Sequence, residues 1–465
     1  MTPAADALIG TWTQTLARRA SDTAIYDAGG DLLRTFAQIE EEARDFSAGG
    51  FAEFKAGDVI GIQVGNHPSW PALLLACLRR RLVALPLERS MAQQEREAAF
   101  TACRVAGVIT SDTTDAAVGI KRRSTAGVDW EGRRPSLLKL TSGTTAAPRA
   151  IRFQSHQLLA DCEQICDTMG VTDRDLNFAV IPVSHSYGFS NLITPLIARG
   201  VTMVLSGDRM PRAVLDDLAR TRATVFPGMP VFYQAFCQME QAPELPHLRL
   251  CISAGAPLPL PVAVQFREKY GRAIHSFYGS SECGGICYDR DATLSEQGFV
   301  GEAMERVQLE PLDSDALASR FRVRSAAAGN GYFPEADEAR LGHGYFVPDD
   351  LLTRRTGGFA IVGRVSDIIN VAGKKVNPAE VEAVLLDFPG VREAAVFGLT
   401  STLRNEEVAA CIVADESVRE EDLLEHCRRR LSGWQAPKRI FFLAAMPVNE
   451  RGKISRRVLA ERFAS

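Results

Sequence analysis

Strand-like and helix-like segments alternate from residue 58 to about residue 280 of this chain. Short β-branched runs such as DVIGIQV (58–64) and LRLCIS (248–253) predict strands, and amphipathic segments such as Ser155–Gly170 and Pro259–Gly271 predict helices. Strands that alternate with helices of this length favour parallel sheets that are covered by helices on both faces. We therefore expect an α/β fold with a large N-terminal domain of βαβ units.

The pattern changes towards the C-terminus. The short runs VQLEPL, FRVRS, GYF and GGFAIVG have little helix between them and predict a small β-barrel-like part. A compact α+β pattern follows, in which Asn377-Pro378-x-Glu380 and Ser417-x-x-Glu420 predict two helix starts with capping boxes. The strands VREAAVFGL, EVAACIVAD and RIFFLAAM complete this pattern.

This change of pattern predicts two domains. We expect an N-terminal domain over residues 1–364 and a small, mobile C-terminal domain over residues 366–465, with a hinge near 364–367. The second part has about 100 residues, which is an ordinary domain size.

Charge and apolar patterning exclude several functions. Lys and Arg total 53 against 57 Asp and Glu, a net charge of −4, so no basic footprint for nucleic acid is present. The longest apolar stretch, Pro71–Leu78, is far shorter than the ~20 residues that a membrane-spanning helix needs. The N-terminus lacks the basic and apolar regions of a signal peptide, and the ten cysteines form no CxxC pair. We expect a cytoplasmic protein with buried or half-buried thiols and no membrane span.

A run of small polar residues follows an apolar strand in LLKLTSGTTAAPRAI (137–151). Hydroxyl side chains around a glycine leave backbone N–H groups open to an approaching phosphate. The order G-x-x-x-x-G-K-[ST] is absent from the chain, so the segment is not a P-loop. It predicts a phosphate-binding loop of another type, and a polar β-turn is the alternative.

Two later segments add ligand-binding chemistry. AGAPL (254–258) gives a tight turn after one strand, and FYGSSE (277–282) places an aromatic ring, hydroxyls and a carboxylate after another. In open parallel sheets ligands bind at the carboxyl ends of the strands, and a Glu near phosphates commonly holds Mg²⁺. Further groups follow in the order Asp349-Asp350, Gly363-Arg364, Gly373-Lys374-Lys375 and NERGKI (449–454).

Taken jointly, these segments resemble the adenylate-forming superfamily of acyl-CoA synthetases, nonribosomal-peptide adenylation domains and firefly luciferase. The resemblance covers essentially the whole chain. It implies an ATP-dependent acid–thiol ligase with two half-reactions: a carboxylate attacks the α-phosphate of ATP, and a thiol later displaces AMP. The implied cofactors are ATP, Mg²⁺ and CoA, or the phosphopantetheine arm of a carrier protein.

The resemblance also implies roles for individual residues. The implied nucleotide- and cofactor-binding residues are Thr141, Ser142, Gly143, Thr144, Thr145, Arg149, Gly255, Ala256, Tyr278, Gly279, Ser281, Asp350, Arg364 and Gly373. The implied catalytic residues are Lys453, His185, Thr144 and Glu282, of which Thr144 and Glu282 are also the implied metal ligands. The implied substrate pocket contains His185, Tyr187, Gly188, Met229, Gly284 and Gly285, and Ser366 is the implied hinge residue.

Some positions depart from the pattern of the superfamily. Ala146 and Ala150 replace glycines of the phosphate loop, and a Cβ in a left-handed conformation costs about 1 kcal/mol. Pro348-Asp349-Asp350 replaces T-G-D, so the assignment of the ribose-binding Asp could shift by one residue. A degenerate member that binds nucleotide with little or no turnover is therefore the alternative function.

The expected substrate is a small-molecule carboxylic acid without an α-amino group. The segment IPVSHSYGFSN (181–191) has no acidic residue, and a buried ammonium without a carboxylate partner is expensive. His185 is expected at the mouth of the acid pocket, with a hydrogen-bonded core histidine as the alternative. Gly284 and Gly285 leave room for a bulky aryl or fatty acid, or form a flexible turn. A carrier protein would act in trans, and a homodimer is a further expectation.

Overall fold

The computed structural model describes residues 6–113, 116–141, 148–207, 209–401, 405–447 and 454–463. The chain forms two compact units, which we call unit 1 and unit 2. Unit 1 comprises Met1–Glu310 and Arg322–Pro348, and unit 2 comprises Pro311–Phe321 and Asp349–Ser465. Residues 349–364 therefore pack with the C-terminal residues, whereas the domain boundary predicted from the sequence lies near 364–367.

The strands are, in chain order, β1 (Thr23–Asp27), β2 (Leu32–Thr35), β3 (Val59–Gln63), β4 (Val83–Pro86), β5 (Val105–Thr110), β6 (Gly119–Arg122), β7 (Leu137–Leu140), β8 (Ala150–Phe153), β9 (Leu176–Ala179), β10 (Thr202–Leu205), β11 (Val225–Gly228), β12 (Leu250–Ser253), β13 (Ile274–Ser280), β14 (Gly284–Tyr288), β15 (Phe299–Ala303), β16 (Gln308–Pro311), β17 (Phe321–Arg324), β18 (Tyr332–Phe333), β19 (Leu341–Gly342), β20 (Tyr345–Phe346), β21 (Asp350–Arg355), β22 (Gly358–Arg364), β23 (Ile369–Val371), β24 (Lys374–Val376), β25 (Val391–Ser401), β26 (Asn405–Ala414) and β27 (Arg439–Phe442).

The helices are α1 (Ala7–Arg19), α2 (Phe36–Ala48), α3 (Trp70–Arg79), α4 (Gln93–Ala102), α5 (Ser155–Met169), α6 (Ser186–Gly188), α7 (Thr194–Arg199), α8 (Pro211–Thr221), α9 (Pro230–Gln238), α10 (Leu260–Tyr270), α11 (Pro378–Leu386), α12 (Glu420–Arg430) and α13 (Arg456–Phe463). A π-helix, Phe189–Ile193, joins α6 to α7, and a 3₁₀-helix spans Val365–Asp367.

Unit 1 contains two sheets with parallel centres. One has the order β2-β1-β10-β9-β11-β12-β13-β14-β15, and every neighbouring pair from β1 to β13 is parallel. The other has the order β18-β8-β7-β4-β3-β5-β6, with β7, β4, β3 and β5 parallel. Antiparallel strands stand at the ends of both sheets. The expected α/β fold is confirmed, because β-branched runs form the buried strands and amphipathic segments form the helices between them.

Unit 2 is an α+β arrangement, as the sequence predicts. Its main sheet has the order β24-β23-β26-β25, and β27 pairs in parallel with β26. Asn377 caps α11 by accepting a hydrogen bond from the Ala379 N–H at 3.2 Å. The capping box predicted at Ser417 is wrong, because α12 begins at Glu420 and extended Arg419 is its N-cap.

The cysteines and helices bear on the expected class of protein. All ten cysteines are free, and all are buried except the half-buried Cys237. Among the helices that the structure describes, none has the length and apolarity that a bilayer crossing requires.

A buried carboxylate connects the starts of three central strands of unit 1, β9, β11 and β12. Asp175, directly before β9, is 5% exposed and accepts two hydrogen bonds from the Arg249 guanidinium at 2.7 and 2.6 Å. It also accepts from the Thr172 N–H and the Thr224 hydroxyl, both at 2.9 Å. Burial by itself would raise the pKa of Asp175, but these donors outweigh it and hold the pKa below its ordinary value.

Asp175→Asn should lower the free energy of unfolding at neutral pH by about 2 kcal/mol, because the ion pair with Arg249 is lost. The native pKa is depressed, so this stabilisation is present above the ordinary value of 3.8 and is lost as the pH falls through the folded-state pKa. Urea unfolding across a pH series measures the difference. Asp216→Asn, which removes an exposed ion pair with Arg212 on α8, should change stability by less than about 0.5 kcal/mol; equal effects would contradict the assignment.

Candidate active site

The predicted phosphate loop connects two antiparallel strands, β7 and β8. Thr141 closes this hairpin, because its N–H and its hydroxyl donate to the Arg149 carbonyl oxygen at 2.9 and 3.1 Å. The predicted residues between them, Ser142, Gly143, Thr144 and Thr145, lie outside the described residues, as does Ala146. The structure thus fixes both ends of the loop at one edge of the second sheet.

Tyr332 joins two of the predicted site residues. The Arg149 guanidinium carbon lies 4.1 Å from the centroid of the Tyr332 ring. The Tyr332 hydroxyl donates to Glu282 Oε1 at 3.2 Å. Arg149 and Glu282, which are far apart in sequence, are therefore brought to the same aromatic side chain. In the sequence Tyr332 belongs only to a short strand-like run, GYF, so its place at the site was not predicted.

Glu282 lies in the turn between β13 and β14. The Ser280 hydroxyl oxygen accepts hydrogen bonds from the N–H groups of Glu282 at 3.2 Å and Cys283 at 3.3 Å, and this fixes the turn. Burial raises the pKa of the Glu282 carboxyl, and the hydrogen bond from Tyr332 and the charge of Arg340 only partly oppose it. A half-buried carboxylate whose pKa is raised in this way fits a hard cation such as Mg²⁺, because the cation would supply further positive charge beside it.

Among the residues that the structure describes, side chains of the usual ligand types form no metal cluster by themselves. Within the described ranges, no three His, Cys, Asp or Glu side chains lie close enough together to hold an ion. A magnesium site here therefore needs oxygens besides Glu282, such as those of a nucleotide or of the predicted ligand Thr144.

The residues predicted to hold adenine leave the first sheet at one edge. β12 and β13 are parallel neighbours, with Ser253 opposite Ser276. Gly255 and Ala256 follow β12 and are exposed, and Gly255 has a φ of +87°. Tyr278 is buried on β13, and half-buried Ser281 follows that strand.

Gly279, also on β13, is required by a close approach of the chain. An added Cβ at Gly279 would lie 2.8 Å from the carbonyl oxygen of Gly284. The turn that carries Glu282 is therefore tight as well as hydrogen-bonded.

His185 is paired with an acid that the sequence did not reveal. Its Nε2 lies 2.6 Å from Oε1 of Glu88, which follows β4 in the other sheet of unit 1. His185 is 26% exposed and Glu88 15% exposed at the side chain, so the pair is half-buried. A carboxylate after a parallel strand was the only signal for Glu88, and the fold was needed to bring it to His185.

Three further residues of the predicted acid pocket, Tyr187, Gly188 and Met229, lie in or against the apolar core of unit 1. The Tyr187 hydroxyl donates to the carbonyl oxygens of Gly228 at 3.2 Å and Ile252 at 3.4 Å, and burial raises its pKa. Gly188 permits a tight turn, since an added Cβ would collide with the Pro182 carbonyl oxygen. Met229 is half-buried against the apolar core.

The two glycines predicted to leave room for the acid have close neighbours. An added Cβ at Gly284 would collide with the Asp161 carboxylate, and one at Gly285 would collide with the Met304 sulfur. Packing within the protein therefore accounts for both glycines, and their predicted role in the acid pocket stays a prediction.

Unit 2 brings together the residues predicted to bind ribose. Asp350 and Arg364 face each other across the β21–β22 hairpin, and Arg364 Nε donates to Asp350 Oδ1 at 2.6 Å. Asp350 is buried, whereas Gly373 is exposed with a φ of +85°. The predicted hinge residue Ser366 donates to Asp367 Oδ1 at 3.2 Å.

Lys453, the predicted catalytic lysine, lies outside the described residues. Arg456 follows it closely in the chain and is held within unit 2 on several sides. Its guanidinium donates to Asp367 at 2.6 Å, to Glu382 at 2.8 and 3.0 Å, and to the Val396 carbonyl oxygen at 2.9 Å. Arg456 therefore connects the segment after Lys453 to Asp367, the residue next to Ser366. No local sequence pattern indicates this contact.

The fold of this chain is that of the adenylate-forming superfamily. The chain belongs to the AMP-binding enzyme family. Residues 12–319 match the AMP-binding enzyme family, and residues 380–453 match the AMP-binding enzyme C-terminal domain.

Curated relatives share about a quarter of their residues with this chain. Feruloyl-CoA synthase of an Amycolatopsis species is 26% identical, over 98% of this chain and 99% of that protein. Oxalate–CoA ligase of Arabidopsis thaliana is 25% identical, over 89% and 90%. A probable CoA ligase of Humulus lupulus, CCL9, is 27% identical over 70% of this chain, and the match spans 66% of that protein.

Solved structures share the fold. ATP-bound MatB from Rhodopseudomonas palustris superimposes with a TM-score of 0.86 at 23% identity, over 98% of both chains. The o-succinylbenzoate CoA synthetase from Bacillus subtilis, in complex with its acyl-adenylate intermediate, gives 0.81 at 22% identity over 97% of both chains.

Tyr332→Phe should make Mg²⁺-dependent nucleotide binding more sensitive to acid. The change keeps an aromatic ring beside Arg149 but removes the donor that lowers the Glu282 pKa, so that pKa rises further. The variant should bind Mg²⁺–ATP less tightly than the wild type at low pH, and the two should converge as the pH rises. Titration calorimetry across a pH series measures this difference.

Tyr345→Phe is the matched control for this change. Tyr345 also donates through its hydroxyl, to the Glu338 carbonyl oxygen at 2.7 Å, and Arg322 lies 5.0 Å from the centroid of its ring. Its loss should leave the pH profile unchanged. Superimposable profiles for Tyr332→Phe and the wild type would show that the Tyr332 hydroxyl does not influence Glu282.

Proposed function

We propose that this protein is an ATP-dependent acid–thiol ligase. A carboxylic acid attacks the α-phosphate of ATP to give an acyl-adenylate and pyrophosphate, and the thiol of CoA then displaces AMP to form a thioester. The arrangement of Arg149, Tyr332 and Glu282 beside the phosphate loop is the observation that carries this proposal. Relatives that span nearly the whole chain and are named as CoA ligases support it.

The first half-reaction brings two anions together, so placed cations matter more than proton transfer. Glu282, with Thr144, would hold Mg²⁺, which when bound neutralises charge on the phosphates. Arg149 would provide a fixed positive charge at the end of the loop. Lys453 would bridge the attacking carboxylate and the α-phosphate.

The nucleoside is proposed to contact three groups of residues. Gly255, Ala256 and Tyr278 would hold the adenine, and Ser281 would contact the α-phosphate. Asp350 would bind the ribose hydroxyls, with its carboxylate oriented by Arg364.

The second half-reaction needs the lysine to be withdrawn and a thiol to enter. We propose that residues 1–364 act as a body and residues 366–465 as a lid, with the hinge at Ser366 and Gly373 lining the approach of the thiol. The network of Arg456 with Asp367 supports this proposal, because rotation at the hinge would carry the Lys453 segment along with it.

The acid is proposed to be an aryl or fatty acid without an α-amino group. Glu88 is the acidic residue beside His185, and its carboxylate is engaged by the imidazole rather than aimed at an ammonium. The rings of Tyr187 and Phe277, whose centroids are 5.8 Å apart, favour an apolar acyl group. Gly284 and Gly285 would line the same pocket.

Three further expectations belong to this proposal. Ten free cysteines are consistent with a cytoplasmic enzyme. A carrier protein acting in trans is the alternative to CoA as the acceptor. A homodimer stays a prediction.

Lys453→Ala should reduce acid-dependent exchange of pyrophosphate into ATP by about 100-fold or more, because the cation at the meeting point of two anions is removed. The assay is run over a panel of aromatic and fatty acids, with and without CoA. Lys438→Ala, which removes an exposed lysine of unit 2, should leave exchange within about twofold of the wild type. A wild-type protein without exchange on any acid of the panel would contradict the ligase proposal.

A degenerate member of the family is the second candidate, and Ala146 favours it. Ala150 does not, because it lies in the β-ladder between Leu140 and Phe333. Ala146→Gly separates the two candidates. We expect activity within about threefold of the wild type, as for a natural variant of the loop. A change from no detectable exchange to clear exchange would instead show that the native chain is degenerate.

A further inference from the structure

A buried carboxylate connects three segments around the candidate site. Asp161 on α5 is 4% exposed. Its Oδ2 accepts a hydrogen bond from the Ser190 hydroxyl at 2.5 Å, and its Oδ1 accepts one from the Gly285 N–H at 3.0 Å. Ser190 belongs to the π-helix after the His185 segment, and Gly285 lies on β14 just after Glu282. One side chain therefore holds two motif-bearing segments together.

A buried lysine supplies the opposite charge to this carboxylate. Lys139 on β7, the strand that leads into the phosphate loop, is 5% exposed. Its ammonium lies 4.9 Å from the centroid of the Phe153 ring and 5.3 Å from that of Phe189. Burial lowers the pKa of Lys139, and the charge of Asp161 only partly opposes this effect. An unpaired charge at either position would be strongly destabilising.

Asp161 also shapes the turn after Glu282 by contact. Gly284 has a φ of +70°, and an added Cβ there would collide with the Asp161 carboxylate. Both the backbone conformation and the limited space at this position therefore favour glycine. Displacement of Asp161 or of the Gly284 backbone would move the peptide groups that follow Glu282.

We infer that Asp161 is a positioning residue that fixes the Glu282 turn for binding of Mg²⁺–nucleotide. The inference rests on the proposed function, in which Glu282 is a ligand of Mg²⁺. Asp161 acts through the Gly285 N–H and through its contact with Gly284, whereas Glu282 acts on the cation.

Gly284→Ala tests the contact between Gly284 and Asp161. We expect the apparent dissociation constant for Mg²⁺ in the presence of ATP to rise about 10-fold. Gly271→Ala is the matched control, because Gly271 has a similar φ of +63° but no atom near the position of an added Cβ. The control should leave the Mg²⁺ constant within about twofold, since it introduces backbone strain alone.

A double-variant cycle tests whether the effect of Gly284→Ala depends on the Asp161 carboxylate. In a Lys139→Met/Asp161→Ala background both charges are gone, and the methyl group that Gly284→Ala introduces has room where the carboxylate stood. Gly284→Ala should then change the Mg²⁺ constant by less than about threefold. An effect of Gly284→Ala that is equally large in both backgrounds would overturn the inference.

Asp161→Asn covers the case in which the background protein fails to fold. Asparagine has nearly the same size, can accept from the Gly285 N–H and can donate to the Ser190 oxygen, but it removes the negative charge that partly opposes the effect of burial on Lys139. We expect a rise of about fivefold in the Mg²⁺ constant and little change in the KM for the acid. A folded variant with an unchanged Mg²⁺ constant, or with only the acid KM raised, would refute a positioning role.

Calorimetric binding of Mg²⁺–ATP is measured beside turnover so that two failures can be told apart. If the wild type binds Mg²⁺–ATP but shows no acid-dependent exchange of pyrophosphate, the proposed ligase activity would be contradicted. The binding constants of the variants would still test the role of Asp161. If the wild type turns over normally and the variants bind Mg²⁺–ATP as tightly as the wild type, only the proposed role of Asp161 would be contradicted.

Discussion

Parallel hydrogen bonding between β12 and β13 is the constraint on which the rest of the site depends. Because the two strands run in the same direction and in register, the turn at Gly255 and the residues after Tyr278 leave the sheet at one edge. The antiparallel return of β14 then folds the Glu282 turn back over that edge. The predicted adenine-binding residues and the Glu282 turn therefore lie at the same edge of this sheet.

The carboxylates of Asp175 and Glu282 show how environment moves the pKa values of two acids in opposite directions. Asp175 has a guanidinium and two neutral donors, and its pKa is lowered. Glu282 has a tyrosine hydroxyl as its main side-chain donor, and burial raises its pKa. Asp175 therefore has strong donors within the protein, whereas the raised pKa of Glu282 agrees with the role at a ligand site that we propose for it.

Local sequence signals predicted the elements well and the contacts poorly. The β-branched runs at residues 58–64 and 248–253 predicted β3 and β12, and Asn377-Pro378 predicted the start of α11. The motif at Ser417 failed because the helix begins later, at Glu420, with Arg419 extended before it. Tyr332, Glu88 and Asp161 escaped prediction because each acts on a residue far away in the chain, and no local pattern marks such a pair.

The sequence by itself determined the class of fold, the order of the motifs and the types of charge that the site contains. These follow from periodicity and from residue identity, which are local properties. Only the tertiary structure decided that Arg149 and Glu282 meet at Tyr332, that Glu88 pairs with His185, and that Gly284 makes room for Asp161. Those contacts arise from the packing of separate strands and helices, so the physical reason for each glycine or charge becomes visible only when its neighbours are in place.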